Sequence, residues 1–389
     1  DEGEAASIKS IRFVGNHIMS DDDLSEQMSL TPSGWMSWYT KGDLYSREKL
    51  AADIEAIRSY YLNSGYLDFK VDSVQVSIAP NKKDIFITIN VTEGAQYRIS
   101  GVELTGDMLG LQSELESLIE IENDSIYNAE VINNASTAMV DKLTTLGYAF
   151  ATARPTPVVT GPNEAKIVYT IDPGRRAYVR RVNISGNSKT LDEVIRREVR
   201  QYEASWFDSD SVKLSRDRID RLGFFDSVTV EPKPVPGTRD QVDLEVVVKE
   251  RPTGSVSLGA GYSTSDGVIL SGGFSQNNIF GTGKAFSAEV NTSDSSRTYA
   301  VSLTEPYITP EGISRSISVY DRRVDMDELE IADDVEYETL GASINWGIPF
   351  TEYDRVFLGL KWESTSVDAG TGAPRRYKQY VDDFGEDPH

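Results

Sequence analysis

The sequence predicts α+β repeats of β-α-α-β-β type followed by an antiparallel transmembrane β-barrel, incomplete within these 389 residues. Two observations predict it. One supersecondary unit recurs three times. After Thr253 the residue pattern changes to strict two-residue alternation, the period of a half-buried strand.

Each repeat opens on a β-rich run that stops at Gly and Asn or Asp: SIKSIRFVGN (7–16), YRISGVELTGD (97–107) and YVRRVNISGN (178–187). Each then carries helical periodicity that ends on a Gly-aromatic pair, at Gly65-Tyr66, Gly147-Tyr148 and Gly223-Phe224. Gly is the residue that most easily takes the left-handed turn at a helix end. Leu50, Ile54, Ile57 and Tyr61 form one apolar face, as do Ile132, Ala135, Met139 and Leu143. In the third, more charged helix, Ile219 and Leu222 remain. Ser20 with Asp23, and Thr190 with Glu193, have capping-box spacing for the shorter helices. The copies close on ITINVTEG (87–94), IVYTIDPG (167–174) and LEVVVKERPTG (244–254). A small three-stranded sheet with two helices on one face leaves an edge able to accept another strand. The predicted boundaries are 1–95, 96–175 and 176–252, with the barrel strands in 253–389.

Beyond Thr253 about seven strands alternate apolar with small polar residues, among them Val256, Leu258, Ala260 and Tyr262 against Ser257, Gly259 and Gly261. Short connections such as PFTEYDR (349–355) and long ones such as the acidic 321–338 are expected to alternate between the two barrel ends. Tyr299, Tyr307, Trp346 and Trp362 suit interfacial aromatic girdles. Residues 373–389 read as a polar loop. Bacterial barrels have an even strand number of eight or more, so the closing strands are expected outside these residues.

Composition excludes several classes of function. A net charge of −23 and a pI of about 4.5 oppose nucleic-acid binding. With no cysteine and only His17 and His389, neither a thiol or zinc site nor a Ser-His-Asp triad is readily assembled. His17 reads as a surface turn residue. Asp21, Asp22 and Asp23 are better explained by a helix N-terminus than by calcium. GTGK (281–284) lacks the spacing of a phosphate-binding loop. No enzyme and no cofactor are expected. No apolar run reaches about 18 residues, so no transmembrane helix is predicted. Asp1 to Ser7 lack a signal-peptide pattern; either a mature chain begins here or the chain is a piece of a longer one.

These motifs together resemble the BamA family of outer-membrane β-barrel insertases, over the whole chain. RSYYLNSGY (58–66) with INVTEG (89–94) resembles its third POTRA domain, and YRISGVELTGD the start of its fourth. VIRREVRQYEASW (194–206), RLGFF (221–225) and VKERPTG (248–254) resemble its fifth. GAGYSTSDGV (259–268), NNIFGTG (277–283) and EPYIT (305–309) resemble the start of its barrel. The family's first two POTRA domains and its lumen-loop Arg-Gly-aromatic motif have no counterpart here.

The resemblance implies a non-enzymatic insertase that folds β-barrel proteins into the bacterial outer membrane by edge-strand templating, with its POTRA domains in the periplasm. It implies docking of the lipoprotein BamB on the first repeat at Asp72, Val76 and Ile78, and of BamD on the third at Glu203. The further partners implied are unfolded outer-membrane proteins, periplasmic chaperones and outer-membrane lipid. Ser257, Gly259 and Gly261 map to a gate strand, which glycine weakens because it loses more entropy on ordering and packs nothing. The alternatives are a TamA-like or two-partner-secretion transporter, a passive channel, and a soluble periplasmic scaffold.

Overall fold

The computed structural model describes residues 7–33, 43–81, 83–264, 266–329 and 331–385. The expectations for Asp1–Ala6 and for His389 lie outside the described residues. The chain divides into two compact units, residues 1–177 with 206–209, and residues 178–205 with 210–389.

The first unit holds two repeats. The first comprises β1 (Ser7–Val14), α1 (Asp21–Glu26), α2 (Arg47–Asn63), β2 (Lys70–Ile78) and β3 (Asp84–Thr92). The second comprises β4 (Arg98–Gly106), α3 (Gln112–Glu116), α4 (Ala129–Thr145), β5 (Thr152–Gly161) and β6 (Glu164–Asp172). The last strand lies in the middle of each sheet, parallel to the first and antiparallel to the second. The predicted helix faces carry the cores: Leu50, Ile57 and Tyr61 are buried with Ile87 and Ile89. Ile132, Ala135, Met139 and Leu143 are buried with Ile167 and Tyr169. The Gly-aromatic pair is also the joint between these repeats. Tyr97 N–H donates to the Gly65 carbonyl at 2.8 Å, and a Cβ on Gly65 would meet Ile126 at 2.6 Å.

The second unit begins with the third repeat, β7 (Tyr178–Ser185), α5 (Asp192–Arg196), α6 (Ser209–Arg221), β8 (Phe225–Pro234) and β9 (Gln241–Glu250), in the same strand order. Val179, Ile195, Ile219, Leu244 and Val246 are fully buried. Ser20 and Asp23 form the expected capping box. Thr190 does not cap, which corrects the sequence reading: Leu191 occupies the cap position of α5 without a side-chain bond. The Thr190 hydroxyl is instead used by Asn278, whose Nδ2 donates to it at 2.8 Å.

Seven antiparallel strands follow in sequential order: β10 (Gly254–Ser263), β11 (Gly267–Ile279), β12 (Lys284–Thr292), β13 (Ser296–Glu305), β14 (Ser314–Asp325), β15 (Val335–Pro349) and β16 (Arg355–Ala369). The sheet is open, with β10 and β16 at its edges. Leu258, Leu270, Val301, Val319 and Leu360 project from one exposed face. The other face carries hydroxyl pairs across the ladder, Ser287–Ser302 at 2.8 Å, Thr304–Ser316 at 2.9 Å and Ser318–Ser343 at 2.7 Å. An apolar face of this extent needs hydrocarbon or a second sheet against it, and among the described residues no second sheet packs there. The structure therefore is that of POTRA-like repeats plus part of a transmembrane barrel, and the sandwich alternative lacks its partner layer.

Three further expectations need correction. Connection lengths do not alternate cleanly. At the end distant from the repeats the β10–β11 and β12–β13 connections are short, and the Ser295 hydroxyl donates to Asp266 at 2.6 Å and ties the two hairpins together. Tyr307 is not a girdle residue but lies in the β13–β14 turn beneath Arg197. The expected polar loop contains a helix, α7 (Arg375–Phe384), because Tyr377 and Val381 fall on one face and pack with Val335, Val367 and Ala373.

Gly15, Gly106 and Gly186 end the first strand of each repeat at φ +94°, +97° and +88°, and a Cβ at each would lie 2.1, 2.1 and 1.9 Å from a carbonyl of the central strand. Gly186→Ala is expected to cost the third repeat about 3 kcal/mol or more, from the clash added to left-handed strain. Gly110→Ala, at φ +78° in open space, should cost only about 1 kcal/mol. Residue-resolved hydrogen exchange in β9 and β6 reads the two effects separately; equal losses would contradict the account.

Candidate functional site

Open strand edges are the candidate sites, and backbone direction decides what each can offer. In an antiparallel pair, alternate residues turn both N–H and C=O toward the partner strand, and those between turn them away. Ala79 N–H donates to the Asp84 carbonyl at 2.9 Å, so Ala79 and, by alternation, Ser77, Gln75 and Ser73 face β3. Val74, Val76 and Ile78 consequently present their peptide groups to the open edge, and their side chains are exposed. Two of the three first-repeat residues expected from the sequence, Val76 and Ile78, belong to this set. The third, Asp72, falls at the register shift between Val71 and Ser73, where its carboxylate accepts from the Thr92 hydroxyl at 2.6 Å.

The same logic applies to β10. Asn277 N–H donates to the Thr253 carbonyl at 3.0 Å, so Ser255, Ser257, Gly259 and Gly261 face β11. The gate residues expected from the sequence are thus the paired ones, opposite Gly273, Ser271 and Ile269. The groups turned away from β11 belong to Val256, Leu258, Ala260 and Tyr262. Sequence reasoning had placed these four only on the apolar face; the signal was present in the alternation but needed one known hydrogen bond to fix its phase. Gly259 is required for space, since a Cβ would lie 2.4 Å from the Ser271 hydroxyl, whereas nothing lies within 4 Å of one on Gly261.

Glu203 stands apart from both edges just described. It is half exposed, and its Oε1 accepts the Val182 N–H at 2.8 Å, with Arg196 3.7 Å away. Val182 lies on β7, the other edge strand of the third sheet, so Glu203 satisfies an edge donor that would otherwise face water.

The third repeat binds three hairpin turns of the barrel sheet. Glu250 organises the first contact by accepting the N–H groups of Ser188, Lys189 and Thr190 at 2.7 to 3.1 Å, and the Ser188 hydroxyl at 2.7 Å. Burial acts to raise its carboxyl, but these donors outweigh it and hold the pKa down at about 2. The turn so fixed receives Gly281, whose carbonyl accepts from Leu191 N–H at 2.9 Å and whose missing Cβ would sit 1.9 Å from the Lys189 carbonyl. Glu93 does the same in the first repeat, accepting N–H groups from His17, Ile18 and Met19 and the Tyr61 hydroxyl at 2.7 to 3.2 Å. Burial again opposes ionisation there, and the donors again win and lower the pKa.

The other two turns meet a charged cluster. Arg218 donates to Glu198 at 2.7 Å, to the Tyr307 hydroxyl at 2.9 Å and to Glu352. Arg197 stacks over the Tyr307 ring at 4.3 Å, and Arg200 lies 3.8 Å from Glu352. Side chains of Glu198 and Arg218 are only 5% and 12% exposed, so removing Arg218 would leave the buried Glu198 carboxylate with only Arg197, 3.9 Å away, as its counter-charge. None of these residues was singled out in the sequence as a junction, because pairing between positions 218 and 352 leaves no local pattern. Among the described residues no cluster of three potential metal ligands occurs.

A row of such repeats leading into an open sheet with an apolar outer face defines a protein of the repeat-plus-membrane-barrel class. Sequence comparison makes the family particular. POTRA, the surface antigen variable number repeat, matches residues 6–94, 97–174 and 177–251, and the Omp85 superfamily domain matches 278–387. The chain belongs to this POTRA-bearing Omp85 family. It is 34% identical over 389 residues to the outer membrane protein assembly factor BamA of Neisseria meningitidis, covering 99% of this chain and 49% of that protein. It is 26% identical to BamA of Buchnera aphidicola, covering 95% and 60%. The chain thus spans about half the length of the curated relatives it matches. Among solved structures, BamA POTRA3-5 of Haemophilus influenzae matches with TM-score 0.58 and 32% identity, over 63% of this chain and 96% of that one. BamA of Haemophilus ducreyi lacking POTRA domains 1-3 matches with TM-score 0.63 and 28% identity, over 74% and 54%.

The lowered pKa of Glu250 has a definite pH consequence. A carboxyl held below its ordinary value of 4.5 adds stability that is fully present above that pH and is lost as pH falls toward about 2. Hydrogen exchange of Ser188–Leu191 should therefore lose protection across that window, and Glu250→Gln should lower protection at neutral pH and flatten the dependence. An unchanged acid profile in the variant would contradict the assignment.

Proposed function

We propose that this chain is the repeat-and-gate portion of a core subunit of the outer-membrane β-barrel assembly machinery. It resides in the bacterial outer membrane with its POTRA repeats in the periplasm. The observation that carries this reading is the one-sided ladder of β10. Its odd-numbered residues are held by β11, while Val256, Leu258, Ala260 and Tyr262 turn their N–H and C=O groups to the other side, where a closing or an incoming strand would pair. The names of the relatives, outer membrane protein assembly factors, support the same reading.

The proposed action is non-enzymatic and needs no cofactor. An unfolded client strand gains main-chain bonds along β10, and its side chains alternate between the lipid-facing and lumen-facing sides. The client's own folding free energy drives the reaction, and the template lowers the barrier. Gly259 and Gly261 weaken the gate strand so that it can part. The edge of β2 at Val76 and Ile78, beside Asp72, is the proposed site for BamB. Glu203 is the proposed contact for BamD, through a partner cation that would share the carboxylate with the Val182 N–H. Periplasmic chaperones would deliver the unfolded clients, and the membrane lipid would cover the apolar face.

Leu258→Pro tests the templating step. Proline removes the Leu258 donor at the open edge but no bond to β11, because that N–H points away from β11. In the full-length protein expressed in cells depleted of the native copy, the variant is expected to keep its heat-modifiable gel mobility yet lose assembly of outer-membrane barrels. Full assembly activity in a folded Leu258→Pro protein would sink the reading.

A further inference from the structure

The three repeats share one topology, but their outer edges are not chemically alike. The edge strand of the first repeat, β2, contains no proline. Its outward peptide groups at Val74, Val76 and Ile78 run without a break. In the second repeat, β5 carries Pro155 and Pro157. The ladder to β6 continues through both, paired with Tyr169 and Ile167, so the positions that lack N–H must be those turned away from β6. The Ala153 carbonyl confirms the phase, since it is turned outward and accepts from the Ser136 hydroxyl. The middle of the β5 edge therefore has no donor.

In the third repeat, β8 carries Pro232 and Pro234. Val235 N–H donates to the Gln241 carbonyl at 3.2 Å, which places Pro232 and Pro234 on the outward phase as well. Only Val228 and Val230, both half buried, keep outward donors on that strand. Proline on an edge strand is a recognised means of preventing unwanted pairing. Both prolines of each pair fall on the one phase where they block a new strand and leave the existing sheet intact.

We propose that Pro155, Pro157, Pro232 and Pro234 close the second and third repeats to strand addition, so that an extended polypeptide segment pairs only with the edge of the first repeat. This rests on the reading of β2 as a docking edge. It adds a selectivity device: of three similar sheets, the chain keeps one receptive, and client or partner segments are not captured between that edge and the gate strand.

The 389 residues contain no cysteine, which allows disulfide trapping at chosen positions. Gln75→Cys, Thr156→Cys and Glu231→Cys are introduced singly into the full-length protein. All three are exposed positions. The probe is a synthetic ten-residue peptide of alternating valine and threonine with a central cysteine, compared with its N-methylated counterpart. Two missing donors are expected to cost about tenfold or more in capture, so adduct yield at 75 should exceed that at 156 and 231 by that factor. N-methylation should abolish the adduct at 75. Adding Pro155→Thr with Pro157→Thr should raise capture at 156 to near the level at 75, and threonine suits a strand well enough for that variant to fold. Equal capture at all three edges, capture at 75 that survives N-methylation, or no gain at 156 in the proline-free variant would overturn the proposal. A silent position 75 together with a gain at 156 would instead overturn the docking reading of β2 and leave the proline effect standing.

Discussion

A strand at the edge of a sheet leaves every second peptide group without a partner, and the organisation of this chain follows from where such groups are left open. Satisfied groups are the rule in folded proteins, so each open edge is either protected or used. The structure does both. Edge donors on β7 are covered by the Ser205 carbonyl and the Glu203 carboxylate. Outer edges of two repeats are interrupted by proline. Among the described residues β2, β10 and β16 have edges that run without proline, and the proposed strand recognition uses the first two.

The third repeat supplies the fixed end from which β10 extends. Glu250 holds a turn rigid through three N–H groups, and that turn receives the Gly281 hairpin with no space for a side chain. Arg218, Glu198 and Glu352 hold two further hairpins through buried charge pairs. Strands β11 to β16 are thus anchored at their repeat-side ends, while β10 is held along its length, among the described residues, by β11. The carboxylate device recurs in the first repeat at Glu93. In the second repeat Pro173 occupies the corresponding position, and Asp107 secures the turn locally by accepting the Leu109 N–H at 2.9 Å.

Much of this was legible in the sequence because it depends on periodicity. Helix faces such as Leu50–Ile57–Tyr61 and the seven alternating strands follow from local spacing, which a single sequence records. The turn glycines were visible for the same reason. What was not legible depends on long-range pairing. Thr190 has the spacing of a cap but bonds Asn278, and Tyr307 has the character of a girdle aromatic but packs under Arg197. The helix at 375–384 was missed because its apolar face is thin and meets a loop from a different hairpin. For the gate strand, alternation separated Ser257, Gly259 and Gly261 from Val256, Leu258 and Ala260. It did not say which set turns its peptide groups away from β11, because that phase is fixed by the Asn277–Thr253 hydrogen bond and not by side-chain pattern.

The central claim is that β10 is held firmly by β11 on one side and presents its other side to a seam that can part for an incoming strand. Residue-resolved amide hydrogen exchange on the full-length protein in lipid tests it most directly. The account predicts faster exchange at Val256, Leu258, Ala260 and Tyr262, which face a seam that must part, than at Ser257, Gly259 and Gly261, which face β11. Equal protection of both sets would show a strand bonded as firmly on its outer side as on its inner one, and would contradict a templating edge there.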